Sequence, residues 1–286
     1  MRAVALARAL LGALAGALLL TLGATHALAN PDADPCRPER LELVGDVEPN
    51  AHLDLERADG PPIRLAGVEP PVVRGGDADL AQTASEDLAL WVIAGPLGLA
   101  PVRAEPDRWG RIVGRLFLRN DGAAPHRLPS LSEALVDAGL ARVDPATETG
   151  ACLERLYAAE VRARAGRRGL WEEPQFAVID AASPPDLTRR AGRMVIVQGR
   201  VASVRAGRGP TFVNFGADSA ASVSLVIERD VARAMERAKV APGSLAGKDI
   251  RARGALDLSR APRVLIEAPG AVEVISGVPA GRRTKL

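Results

Sequence analysis

The sequence predicts a mainly β protein with inserted helices (α+β), arranged as two successive units. Three observations predict this. Apolar and polar residues alternate in Leu41-Glu42-Leu43-Val44 and His52-Leu53-Asp54-Leu55, the pattern of half-buried strands. Leu80, Ala84, Leu88, Trp91 and Val92 recur at helical spacing, so an amphipathic helix over Ala78 to Ile93 sits among the strands. A proline-bearing connection, Glu172 to Arg190 with Pro174, Pro184 and Pro185, then precedes a second run of strands. With 286 residues the chain has room for two cores.

The chain opens with Arg2 and Arg8, an apolar run from Ala9 to Leu22, and Ala27-Leu28-Ala29. This is the layout of a targeting signal over residues 1–29, cut after Ala29, and implies a periplasmic or secreted protein. An uncleaved anchor is the alternative, but the run is short for a span of about 20 residues. Residues 30–40 read as a loose Pro- and Asp-rich arm. Gly60-Pro61-Pro62 is a turn, and Ile63 to Val68 the next strand. Val102 to Ala104 and Ile112 to Leu118 are strands flanking Asp107-Arg108-Trp109-Gly110-Arg111. Ser130 and Glu133 form a capping box for a helix that Gly139 ends, and Ala151 to Arg168 is a third helix whose arginines form a solvated face. The first unit thus covers residues 41–173, and residues 174–190 are a linker.

In the second unit, residues 191–276, Met194 to Val204 reads as one long strand bent at Gly199. Thr211 to Phe215, Ser222 to Ile227, Lys248 to Leu256, Arg263 to Ile266 and Val272 to Ile275 are further strands. A helix over Asp230 to Lys239 is capped by Asp230. Three strands, a helix and more strands predict a second, smaller OB-like barrel. Residues 277–286 are a basic tail.

Charge divides the chain. From Asn30 to Gln175 there are 17 Arg and 25 acidic residues, a balance of −8; from Phe176 to Leu286 there are 18 basic and 10 acidic residues, a balance of +8. A polyanionic partner would favour the second half. Two cysteines, Cys36 and Cys152, in an exported chain favour one disulfide, with two buried free thiols as the alternative. Their spacing, with only His52 and His126 left after the signal, argues against a zinc site.

Four stretches in order carry a resemblance. Ile63-Arg64-Leu65-Ala66-Gly67-Val68-Glu69-Pro70-Pro71, the Asp107–Arg111 stretch, Leu135-Val136-Asp137-Ala138-Gly139-Leu140-Ala141 and Gly169-Leu170-Trp171 together resemble the calcium-dependent thermonuclease family, over roughly residues 40–171. The resemblance implies an OB-fold, a five-stranded barrel with three helices. It also implies a site in which two Asp hold calcium, a Glu acts as general base and two Arg clamp the phosphate.

Both arginine positions are kept, as Arg64 and Arg111. The acids differ. Asn50 stands at the first metal position, with a carbonyl oxygen but no charge, and Glu69 stands at the second. Val72 stands at the base position and cannot take a proton. Glu48, Asp54 and Asp77 are the carboxylates near enough in sequence to substitute. The residues of the second unit, Val197-Gln198-Gly199-Arg200-Val201 with Leu245-Ala246-Gly247-Lys248, resemble small nucleic-acid-binding OB modules.

The leading expectation is therefore an exported thermonuclease-like protein with lost or much reduced nuclease activity, binding single-stranded nucleic acid or another polyanion mainly through its basic second half, with calcium weakly held or not at all. The alternatives are a slow calcium-dependent phosphodiesterase acting on single-stranded DNA or RNA, and a protein-interaction scaffold of the cell envelope. Against base stacking, only 3% of the chain is aromatic, and Phe212 and Phe215 fall on opposite strand faces.

Overall fold

The computed structural model describes residues 34–38, 40–71, 78–119, 129–217 and 221–275. The expected targeting signal, Val72, Asp77, His126 and the expected basic tail lie outside the described residues.

The first lobe is a curled half-barrel. Its strands are β1 (Glu42–Val44), β2 (Val47–Pro49), β3 (Asp54–Arg57), β4 (Ile63–Leu65), β6 (Leu97–Pro101) and β7 (Ile112–Leu118), in spatial order β1-β6-β7-β4-β3-β2. Six strands stand where five were expected, because residues 41–49 divide into two strands, one at each edge of the sheet. A separate two-stranded ladder joins β5 (Val68–Glu69) to β8 (Arg142–Val143). Around the sheet lie α1 (Ala78–Val92), α2 (Leu131–Ala138) and α3 (Gly150–Ala165). Leu55, Ile63, Leu88, Leu116 and Leu135 are wholly buried in one core, and Trp91 packs against it.

Local chemistry sets the helix ends. Ser130 accepts a hydrogen bond from the Glu133 N–H, and Gly139 ends α2 in the left-handed conformation (φ 75°). Gly139 and Gly169 meet backbone to backbone, with the Leu170 N–H donating to Gly139 O at 3.0 Å; a Cβ on either glycine would collide with the other segment's carbonyl. Arg162 and Arg168 reach across to Asp137 on α2, so the expected solvated face of α3 also ties two helices together.

The N-terminal arm is pinned rather than loose. Cys36 and Cys152 form a disulfide with a Cα–Cα distance of 5.3 Å, Asp34 pairs with Arg155 at 2.6 Å, and buried Arg37 lies over the Phe117 ring. A bridge across 116 residues contributes on the order of 2–4 kcal/mol.

The second lobe, shorter in sequence, holds the sheet with more strands. It holds eight strands: β9 (Ile179–Asp180), β10 (Met194–Arg200), β11 (Ser203–Arg205), β12 (Thr211–Asn214), β13 (Ser224–Ile227), β14 (Asp249–Asp257), β15 (Arg263–Ile266) and β16 (Val272–Val274). The order is β11-β12-β13-β15-β14-β10-β9, with β16 also on β14. The expected long strand breaks after Arg200, where Val201 turns to exchange hydrogen bonds with Lys248 and Gly247. The expected linker is part of this lobe: β9 pairs in parallel with β10, and Phe176 and Leu187 are buried. Helix α4 (Arg229–Arg237) starts one residue before Asp230, after Glu228; Asp230 occupies its first turn instead of capping it.

The lobes meet through a buried ion pair. Arg253 on β14, 1% exposed, forms two 2.9 Å hydrogen bonds with Glu160 on α3, which is 0% exposed. Arg253 also donates to Val143 O and to Glu273, and lies 4.4 Å from the Tyr157 ring centroid. Tyr157 Oη donates to Gly270 O, and Arg142 Nη1 to Met194 O at 2.7 Å. Burial works to raise the Glu160 pKa, but the Arg253 charge and hydrogen bonds and the Val143 N–H hold it below the ordinary value. Its stabilisation is therefore complete above the ordinary value of 4.5 and is lost as pH falls through the lower native value. Glu160→Ala leaves Arg253 buried without its partner and should cost about 3–5 kcal/mol in denaturant unfolding. Glu160→Gln should remove part of the acid dependence of stability, which unfolding curves between neutral and acid pH would check.

Candidate functional site

The hairpin geometry decides what surrounds the two predicted arginines. β3 and β4 pair across the Gly60-Pro61-Pro62 turn with Asp54 opposite Arg64, and β4 pairs in parallel with β7 with Arg64 opposite Val113. Arg111 stands immediately before β7 and so comes alongside Arg64. Asp54 sits between them. Its Oδ2 accepts from Arg111 Nη1 at 2.7 Å, and its Oδ1 lies 3.6 Å from Arg64 Nη1. Asp54 is 8% exposed at the side chain, Arg64 15% and Arg111 18%, so the three charges are largely out of water.

A tight turn fixes Arg111 from the other side. Asp107 Oδ1 accepts the Trp109 and Arg111 N–H groups, and its Oδ2 accepts from Arg111 Nε at 2.9 Å. Gly110 takes φ 79° to close the turn. Burial raises the Asp107 pKa, but the hydrogen bonds from the Arg111 guanidinium and the two backbone N–H groups outweigh it and hold the carboxyl below the ordinary range. The same contacts, with those of Asp54, outweigh desolvation and raise the Arg111 pKa. Two guanidiniums and two carboxylates sum to zero charge. An incoming phosphate would compete with Asp54 for both arginines.

The other predicted positions are placed differently. Asn50 is committed to the β2–β3 turn: its Oδ1 accepts from the His52 and Asp54 N–H groups, and its Nδ2 donates to Glu56. Glu69 lies on β5 opposite Arg142 and lines a 260 Å³ cavity at the lobe junction, with Asp144 and Glu267. Burial raises its pKa, against the charge of Arg142. Val72, at the base position, lies outside the described residues.

These residues do not fit calcium. The cation needs several hard oxygens free to converge. The Asn50 oxygen is already engaged by two N–H groups, Asp54 Oδ2 is hydrogen-bonded by Arg111 while its Oδ1, with no hydrogen-bond partner, lies 3.6 Å from the Arg64 cation, and among the described residues no group of three acidic, His or Cys side chains is placed to hold a metal.

Trp109 adds an exposed aromatic beside the arginines. It is 63% exposed, with the Arg108 guanidinium 4.0 Å and that of Arg111 4.7 Å from its ring. Residues 62–173 match the family model described as staphylococcal nuclease homologue. The first lobe is a nuclease-like domain. The match takes in Arg64, Glu69, Arg111 and all three helices, and begins after the strand that supplies Asp54. No curated protein matches the chain. The nuclease-like fold is of a kind that binds nucleic acid.

Asp54 is the site residue that residue-by-residue matching passed over as a mere substitute. The register that sets it opposite Arg64 is offset from the Gly60-Pro61-Pro62 turn, so counting outward from that turn does not give the pair. Asp54→Ala should free Arg64 and the Nη1 side of Arg111, which Asp107 still holds, at a cost of about 1–3 kcal/mol in stability. Added inorganic phosphate should then raise the Tm of this variant while leaving that of the wild type unchanged, as thermal unfolding with and without phosphate would show.

Proposed function

We propose that this protein is an exported nuclease-like protein that binds nucleic acid without cutting it. The observation that carries the reading is the Asp54 carboxylate between Arg64 and Arg111. Phosphodiester hydrolysis needs a base for the attacking water and charge left free to stabilise the phosphoryl oxygens. Val at position 72 offers no base, and the arginines spend their charge on Asp54 and Asp107. Calcium has no part in this reading, because Asn50 serves a turn and Glu69 lines another cavity.

Binding falls instead to the second half, residues 176–286, whose sequence carries +8 against the −8 of the first half. Export is supported by the N-terminal sequence and by the Cys36–Cys152 bridge, which belongs to an oxidising compartment. Purified protein incubated with single-stranded DNA or RNA should leave both intact, with calcium and with chelator alike. Chelator-sensitive cleavage by the wild type would overturn the reading and point to a carboxylate outside the described residues.

A further inference from the structure

The outer face of the second sheet gathers one aromatic, several arginines and a hydrogen-bonded polar row. Strand register sets what shares that face. Arg205 on β11 lies opposite Phe212 on β12, Phe212 opposite Val226 on β13, and Val226 opposite Leu265 on β15. Two residues along, Ser203, Asn214, Ser224 and Arg263 form a second row in the same register. Residues two apart on a strand share a face, so both rows lie on one side of the sheet. The opposite side carries Val213, Leu225, Val264 and Ile266 into the core.

The two phenylalanines of the stretch are divided accordingly. Phe215 is 4% exposed and belongs to the core, whereas Phe212 is half-buried on the outer side. Beneath it the polar row is fixed: Ser224 donates to Asn214 Oδ1 at 3.0 Å, and Asn214 Nδ2 donates to Ser203 at 3.1 Å. These bonds stiffen the strands that carry Phe212. Arg205 and Arg208, on β11 and in the hairpin loop beyond it, are exposed and close no ion pair among the described residues. No acidic residue occurs from 203 to 217.

We propose that this face is a binding platform for single-stranded nucleic acid, with a base stacked on Phe212 and backbone phosphates held by Arg205 and Arg208. It rests on the reading that the protein binds nucleic acid, and assigns that binding to a place. An aromatic face attracts any base, and flanking cations hold the strand without reading its sequence, so the contact is indifferent to sequence. The exposed arginines of α4, Arg229, Arg233 and Arg237, make a poorer candidate: Asp230 and Glu236 stand among them and no aromatic accompanies them.

The test is binding of the full chain to a fluorescent single-stranded oligonucleotide over a range of salt, beside heparin as a polyanion without bases. Phe212→Leu should weaken oligonucleotide binding by about tenfold with an unchanged salt slope, and leave heparin binding intact. Arg205→Gln with Arg208→Gln should weaken both ligands and lower the oligonucleotide's log–log salt slope by about 1.4, from about 0.7 per lost phosphate contact. Neutralising Arg229, Arg233 and Arg237 together should change the slope less than the Arg205–Arg208 pair, despite removing more charge. Circular dichroism checks that each variant is folded. If Phe212→Leu leaves affinity unchanged, or weakens heparin equally, the platform is wrong although the protein still binds nucleic acid. If the wild type binds no oligonucleotide at low salt, both the platform and the wider reading fail.

Discussion

The arrangement of the two lobes depends on Arg253 and Glu160. Both side chains are out of water, and removing two such charges from solvent costs about as much as their attraction returns. The pair is therefore better understood as a device for registry than as a source of net stability. Arg253 reaches from the second sheet into the first lobe and finds Glu160, the Val143 carbonyl and the Tyr157 ring; Glu273 of its own lobe completes the set. Any other seating of the lobes would strand a buried guanidinium. The neighbouring contacts, Tyr157 to Gly270 and Arg142 to Met194, then fall into place and define the cavity onto which Glu69 opens. A residue at a metal position of the nuclease pattern thus contributes to a lobe junction.

The same principle, that a buried charge must be answered nearby, explains the nuclease-like site. In a working phosphate clamp the guanidiniums wait for substrate. Here Asp54 answers both, and Asp107 holds Arg111 from the other side. Retaining Arg64 and Arg111 without their acids would leave two cations in a poorly solvated cleft, and Asp54 resolves that cost within the chain. The arginines remain in the sequence as parts of a structural network. Under the proposed reading the acidic first half would repel a polyanion, and the basic second half, with Phe212 half-buried on the outer side of its sheet, would take it.

Much of the first lobe was legible in the sequence because its punctuation is chemical. The Ser130 cap, the Gly139 stop and the Gly169 approach each have one physical solution, and α1 follows from the spacing of Ala84, Leu88 and Val92. The disulfide was expected from two cysteines in a chain read as exported. The second lobe was less legible. Prolines at 174, 184 and 185 read as a linker, yet Phe176, Ile179 and Leu187 bury their side chains and β9 adds a strand. Burial by a distant partner leaves no periodicity in so short a segment. Nothing local in the sequence marks Arg253, whose partner lies 93 positions away. Asp54 was visible as an acid but not as a keystone, because its role comes from a cross-strand register and not from a motif.

The central claim is that Arg64 and Arg111 are already neutralised within the folded chain. The most direct measurement follows the Nε–Hε resonances of these two arginines by NMR while a nucleoside 3′,5′-bisphosphate is added to the wild-type protein. The account predicts that both resonances stay in place while the ligand concentration rises through the millimolar range. A saturable shift of both would mean that the phosphate displaces Asp54, and would contradict the account.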